Sequence, residues 1–489
     1  MSSSICIAIP FIVYMIAMMA IGVFTFKSTS SVEGFALGER KLHPWVAAMS
    51  YVFSGCSGWM FMGAAGISYI MGPGAWWMLL GYMIGVLFSF LTIPMRLRNY
   101  SGYLGAITYP EFFVKRVRDD TNLIRGICSL ALIVFIVPYI AAQYSACIKG
   151  ITSLFNVTPL AALLFSVAVV TIYCMLGGFK AVCLTDYIQG WVILAGGVLI
   201  SVILVSKAGG WGSMLATLKE IDPTLMTANL GKAGAALLGF VWYSFTTVFV
   251  VIGRPHDTIR NFAIENSKQA YEMALFGQVA LLINYWTSWM IGYAGRVFFP
   301  NLADPETIFP SVLTLINPWV AGILFAALLA LLMSTVDSQL LSVATTLSVD
   351  LYRGFINKEA SDKKVVSLSR IAVLVVSVLG AYICYRTPQS VMWLTLYASG
   401  GLSATFGPSL ILSLYWKRFN KQGAIASMLS GLLAVIIWYK TPWRATIIHE
   451  GLVGWIVGLV VGVVVSLMTE PLDQAQIDEE FAYIRQPHE

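Results

Sequence analysis

The chain has 489 residues, of which 58% are hydrophobic and only 11% charged, with a mean hydropathy of +0.79 and a formal net charge of +6. This composition excludes a soluble globular domain, because apolar runs of about 20 residues, long enough to cross a bilayer, recur along the whole chain. Basic loops on one membrane face account for the positive charge, so it gives no sign of nucleic-acid binding.

In chain order, thirteen membrane segments are expected, beginning at about 5–25, 45–70, 75–97, 124–150, 158–178, 184–206 and 233–253. The remainder lie at about 270–295, 318–348, 368–386, 390–416, 421–440 and 450–469. The first stretch, Ile5–Phe24, has no basic region before it and no cleavage site after it, and so reads as a retained helix. Segments two and nine are interrupted by small and polar residues. Unwound backbone at membrane depth is tolerated only where it lines a cavity, so two such breaks suggest an inverted-repeat transporter.

Basic residues gather in alternate connections, at Arg40–Lys41, Arg96 and Arg98, Lys115–Arg116, Arg254 and Arg260, Arg353 to Lys364, and Lys417–Arg418. Placing these in the cytoplasm leaves the N-terminus outside and the C-terminus inside. The seven cysteines lie mostly in apolar segments and lack CxxC spacing, which argues against a disulfide framework. The acidic tail after Pro471 is too short for a domain and is expected to form at most a surface helix.

Four constellations could carry chemistry. In segment two, Ser54-Gly55-Cys56-Ser57-Gly58-Trp59 weakens the helix at mid-membrane. Freed carbonyls there can face a cation and freed N–H groups an anionic substrate group; close helix packing by small residues is the alternative. In segment nine, Ser334-Thr335-Val336-Asp337-Ser338 sets hydroxyls beside a carboxylate that costs roughly 2.5–3.5 kcal/mol to insert. A hard cation such as sodium suits these oxygens, while bonds back to helix carbonyls or to a neighbouring helix are the structural alternative.

The third runs from Gly177 to Gln189 and reads as a short cytoplasmic turn. There Asp186 is either a helix N-cap boxed by Gln189 or a cation ligand near the inner mouth. The fourth, Gly253-Arg254-Pro255-His256-Asp257-Thr258-Ile259-Arg260, reads as a cytoplasmic anchor or gate, far from the midplane. His256 in it could handle a proton. Trp242 and Tyr243 above it, with Tyr139 and Gln143 in segment four, are candidates for a substrate wall.

These motifs resemble the sodium:solute symporter family, especially its bacterial proline-permease branch. SGWMFMGAAG is similar to that branch's broken-helix motif, and GAITYPEFFVKRV to the loop after the third segment. PYIAAQ and LGGFKAVCLTDYIQG resemble the central region, GRPHDTIRNFA the GxPH…R motif, STVDSQLLSVATTLSVDLY the ion-binding helix, and ATFGPSLILSLYWKRFNKQGAIASMLSG the late signature. The chain departs from the branch at Gly55, where proline permeases carry aspartate, and at Arg254, where glutamine is usual. The motif's Arg-Phe-Met also reads Arg260-Asn261-Phe262 here.

The resemblance implies an all-α polytopic membrane protein with a LeuT-like inverted-repeat core. An extra N-terminal helix and cytoplasmic loop would occupy 1–44, the ten-helix transport core 45–416, two C-terminal helices 417–470 and the acidic cytoplasmic tail 471–489. It implies a sodium site of Ser334 and Thr335 side chains with carbonyls of Phe53, Cys56 and Leu331. A second sodium or proton position would involve Asp186, Asp337 and Ser338, with Ser334 shared. Ser54, Ser57, Trp59, Tyr139, Gln143, Trp242 and Tyr243 would bind substrate.

The expected function is therefore sodium-coupled uptake of a small organic solute across a bacterial inner membrane. An amino acid, proline foremost, is the first candidate, followed by short monocarboxylates, pantothenate-like acids or sialic acids. Sodium, the solute and the lipid bilayer are the expected partners; nucleic acid, a metal other than sodium and an obligatory protein partner are not. A proton-coupled symporter of the same fold and a non-transporting solute sensor are the alternatives. With four histidines and no HExxH or GxSxG motif, no catalytic set can be assembled.

Overall fold

The computed structural model describes residues 3–25, 31–387, 390–445 and 447–488. Among them every regular element is helical. The order begins α1 (Ser3–Thr25), α2 (Val32–Leu37), α3 (Pro44–Gly58), α4 (Ala65–Met71), α5 (Trp76–Thr92), α6 (Pro94–Tyr103), α7 (Tyr109–Val117) and α8 (Leu123–Leu154). It continues α9 (Pro159–Lys207), α10 (Trp211–Ile221), α11 (Gly234–Phe245), α12 (Pro255–Thr258), α13 (Arg260–Ala263), α14 (Ala270–Phe298) and α15 (Ile308–Leu313). It closes α16 (Pro318–Thr345), α17 (Asp362–Arg386), α18 (Val391–Tyr415), α19 (Lys421–Tyr439), α20 (Glu450–Met468) and α21 (Gln474–Ile484).

A helix falls on each expected membrane segment. By length and composition, seven helical stretches among the described residues can cross a membrane, or eight if a bent pair is one span.

Local sequence explains where the helices start. Thr108 accepts from Glu111 N (3.1 Å) while Glu111 reaches back to Ile107 N (2.9 Å), so both free donors at the head of α7 are satisfied. Asn317 and Asn420 cap α16 and α19 in the same way, through Trp319 N (3.0 Å) and Gly423 N (3.0 Å). Pro159 and Pro318, at the first helical position, lack the N–H that would have no partner there.

Burial sorts the helices. The apolar window of α16 is 83% enclosed, against 33% for α17 and 39% each for α19 and α20. Thus α16 is the central post, packed by α1, α3, α8, α9 and α17, whereas the others turn faces such as Ile371, Val375, Val378 and Val460 outward to lipid.

Segment two breaks as expected. Ser57 takes φ 53° and ψ −178°, and a π-helix, Trp59–Ala64, joins α3 to α4. A side chain in that backbone region costs of order 1–3 kcal/mol and persists where its surroundings impose it, typically at functional sites.

The second break is not in segment nine. Ser338 Oγ donates to Ser334 O (2.8 Å) and Ser334 Oγ to Leu331 O (2.9 Å), so the hydroxyls bond within the helix and α16 runs unbroken to Thr345. The break lies in segment seven, where α11 passes through a 3₁₀ turn, Thr246–Val250, and bends by 51° into α12 and α13. Gly253 at φ 79° and Pro255, which lacks an N–H, end the helix. A Cβ at Gly253 would lie 2.8 Å from Gly407 Cα, so glycine is needed there for close approach as well as for φ.

The expected turn is confined to Gly178 (φ 58°, ψ −169°), which breaks α9 into two helical parts; the second part, Gly178–Lys207, starts at once and leaves Asp186 two turns inside it. Its N-cap reading therefore fails. All seven cysteines are buried and free.

The tail forms α21 and docks. Ile477, Phe481 and Ile484 are buried against α6, and Glu480 accepts from Tyr100 OH and pairs with Arg118 (3.1 Å). Asn99 holds the carbonyls of Ile484 (3.3 Å) and Gln486 (2.7 Å), and His488 exchanges bonds with Ser267. Phe481→Ala should cost about 3 kcal/mol of docking. Limited proteolysis should then cut the tail at a protease concentration that leaves the parent intact; equal resistance would contradict the docking.

Candidate functional site

Both broken segments meet α9 and α16 at a buried polar cluster. Its hub is Arg260, whose side chain is 1% exposed. Its Nε donates to Ser50 Oγ (2.9 Å), and Nη2 reaches Ser338 Oγ (2.5 Å), Ser54 Oγ (2.8 Å) and Asp186 Oδ2 (3.3 Å). Nη1 donates to the carbonyl of His256. Asp186 Oδ2 also accepts from Ser50 Oγ (2.5 Å) and Ser54 Oγ (3.1 Å). Arg260 is therefore no loop anchor; it is a desolvated cation held by four elements.

One turn along α16, Ser334 Oγ lies 3.2 Å from Phe53 O and 2.9 Å from Leu331 O. Thr335 Oγ1 lies 3.4 Å and 3.3 Å from the same carbonyls. Four of the five residues expected around sodium, Phe53, Leu331, Ser334 and Thr335, thus converge just before the break in segment two. Cys56 is buried beside them. Asp337 accepts from Ser338 Oγ at one oxygen (3.2 Å), and among the described residues its other oxygen has no partner, as is also true of Asp186 Oδ1.

Beyond the break lies a buried cluster of aromatic side chains. Trp59 stacks on Tyr82 (5.1 Å) and meets Tyr285 edge-on (5.9 Å), while Tyr139 meets His256 edge-on (5.6 Å). Gln143 Oε1 accepts from Gly58 N (2.7 Å), taking up one amide freed by the break. Arg254, also buried, donates to Asp257 Oδ2 (3.0 Å), Tyr82 OH (3.1 Å) and Ser399 Oγ (3.3 Å).

Several expected assignments change. Ser54, expected among the substrate-binding residues, lies in the Arg260 cluster, its hydroxyl bonded to Arg260, Asp186 and Ser338. Ser57 supplies the strained turn, its Oγ accepting from Trp59 N (3.1 Å). The Trp242 side chain is 54% exposed and is not brought to the cluster. Tyr243 lines a separate cleft with Trp393, Arg444, His449 and Glu450. His256 is fully buried in the core, where the bend of segment seven carries it.

Sequence reasoning missed Ser50, Tyr82, Asn284 and Tyr285. Asn284, a polar residue within an apolar segment, was the available signal.

A small cleft beside the cluster is lined by Thr108, Phe179, Arg260, Ser338, Ser342 and Thr345. Glu306 accepts from Val391 N (3.0 Å), Met392 N (2.9 Å), Ser390 Oγ (2.6 Å) and Lys149 (2.6 Å), clamping the head of α18.

The profile of the Sodium:solute symporter family matches residues 35–431. The chain belongs to the sodium:solute symporter family.

Among its relatives, this symporter is 32% identical over 96% of both chains to an osmoregulated proline transporter of Bacillus subtilis. It is 30% identical to a sodium/proline symporter of Escherichia coli, over 96% of this chain and 94% of the relative. In fold it is similar to a Na⁺-coupled sialic acid symporter solved substrate-bound and outward-open, with a TM-score of 0.81 and 17% identity over 96% and 98% of the two chains. Mhp1, a nucleobase-cation-symport-1 family transporter, is a more distant fold relative at a TM-score of 0.56 with 15% identity, over 92% of this chain and 98% of that one. The symporter is a multi-pass plasma-membrane protein.

Proposed function

We propose that the symporter couples inward sodium movement to uptake of a small organic solute, proline being the first to test because its relatives carry that name. The convergence of Ser334, Thr335 and the Phe53 and Leu331 carbonyls at a break in segment two supports this reading best. Hydroxyl and carbonyl oxygens, with the nearby Cys56 carbonyl, are ligands of the kind a hard cation takes.

An ion there links α16 to the broken segment, so binding favours one packing of the two and release favours another. Thirteen crossings with the N-terminus outside put the basic end in the cytoplasm, and the cleft reaching Ser338 and Arg260 then serves as the inner exit. In this arrangement the guanidinium of Arg260 stands at the second cation position, between Asp186 and Ser338.

Thermal unfolding in detergent provides the test, with sodium chloride compared against choline chloride at equal ionic strength. The reading expects a sodium-specific rise in Tm, since a ligand of the folded state stabilises it. The same curve in both salts would count against a sodium site. A second reading, proton coupling, draws on the unpartnered oxygens of Asp337 and Asp186. Uptake indifferent to sodium but abolished by a protonophore would favour it.

A further inference from the structure

The aromatic cluster beyond the break holds more unpartnered hydrogen-bond donors than acceptors among the described residues. Gly55 has no side chain, and Nη2 of Arg254 lies 2.6 Å from where its Cβ would be. The guanidinium thus fills the space at the break that any larger residue would take. Near it, Trp59 Nε1, Tyr139 OH, Tyr285 OH and Gln143 Nε2 are buried without a partner among the described residues. All can donate; the indole N–H and the amide NH₂ can only donate.

Acceptors are scarce. Asp257, the carboxylate beside Arg254, spends Oδ2 on Arg254 and Oδ1 on Thr258 N (3.1 Å). Gln143 Oε1 is spent on Gly58 N. Of groups that can only accept, the Asn284 amide oxygen remains among the described residues, together with one nitrogen of the His256 ring in its neutral form; the Tyr139 and Tyr285 hydroxyls can act either way. Arg254 keeps spare capacity, since Nη1 makes a single bond, to Ser399 Oγ. Buried donors left unmade cost about 1–3 kcal/mol each, so these side chains favour a guest rich in lone pairs. The one spare N–H of Arg254, on Nη1, can donate a charge-assisted bond to a carboxylate oxygen. The faces of Trp59, Tyr82 and Tyr285 offer an apolar wall for the rest of the guest.

We propose that Arg254 is the anion-reading residue of the substrate site, and that the cargo is a small monocarboxylate with an apolar body, recognised without an amino group. This rests on the symporter reading and narrows its substrate class. An amino acid is accepted through its carboxylate. An amine of the same shape is refused, because the carboxylate that would pair with it is already engaged by Arg254.

Three five-membered rings test this on the full-length protein in sodium chloride: L-proline, cyclopentanecarboxylate, which lacks the amine, and pyrrolidine, which lacks the carboxylate. The proposal expects cyclopentanecarboxylate to raise Tm at least as much as proline at equal concentration, and pyrrolidine to leave it unchanged. Arg254→Gln should weaken the apparent affinity for cyclopentanecarboxylate at least tenfold while the sodium-induced shift remains. Since that variant strands Asp257, the pair Arg254→Gln/Asp257→Asn repeats the measurement without an unpaired acid. Stabilisation by pyrrolidine, no response to either carboxylate in sodium, or undiminished carboxylate binding in both variants would overturn the proposal. The sodium shift without organic solute reports separately on the symporter reading.

Discussion

Replacing Arg260 with alanine is expected to destabilise the folded protein by about 3–5 kcal/mol, the usual cost of stranding one partner of a buried ion pair. Among the described residues Arg260 is the cation paired with Asp186, and it also holds Ser50, Ser54 and Ser338. Without it, Asp186 keeps two hydroxyl donors and no countercharge.

The expected signature is non-additivity. Asp186→Asn combined with Arg260→Ala should be more stable than Arg260→Ala alone, because the double variant leaves no stranded acid. Denaturation midpoints of the four proteins measure this, and simple addition of the two losses would contradict the pairing. In transport, Arg260→Lys should retain more uptake than Arg260→Ala, since it keeps the charge but loses the fork that reaches three oxygens with one nitrogen.

Ser334→Ala and Thr335→Ala form the second large prediction. Each removes one hydroxyl from the four-oxygen convergence with Phe53 and Leu331 while leaving α16 helical, since alanine is a strong helix former. A tenfold or greater rise in the sodium concentration for half-maximal uptake is expected for each, equivalent to about 1.4 kcal/mol or more of binding. Maximal uptake at saturating sodium should fall much less. A variant whose half-saturation is unchanged while its maximum collapses would place its hydroxyl in packing instead.

The broken segment two was legible in the sequence, because paired glycines and serines halfway along an apolar run leave little to hold a helix. The oxygen cluster on α16 was legible for a similar reason: Asp337 has no place in lipid without a partner. Segment nine was misread as broken because serine and threonine suggest interruption, while their bonds back to Leu331 and Ser334 carbonyls keep the helix whole.

The break in segment seven had its own sign in Gly253 and Pro255. Charge obscured it, since Arg254, His256, Asp257 and Arg260 look like a cytoplasmic loop until their partners are known. Those partners, Gly55, Tyr82, Asp186 and Ser338, lie 74 to 199 positions away in the chain, and no local pattern joins them. Trp242 had no such sign: its side chain is 54% exposed, as is that of Leu238 (71%) one turn before it.

The most direct test of the central claim is solute uptake by purified symporter in proteoliposomes under an imposed gradient. Labelled proline and labelled cyclopentanecarboxylate would be followed with an inward sodium gradient, with choline in its place, and with an inward proton gradient alone. The account predicts accumulation above equilibrium of at least one of them with sodium, collapsing when a sodium ionophore is added, and none with protons alone. Accumulation driven by the proton gradient in sodium-free medium would contradict it.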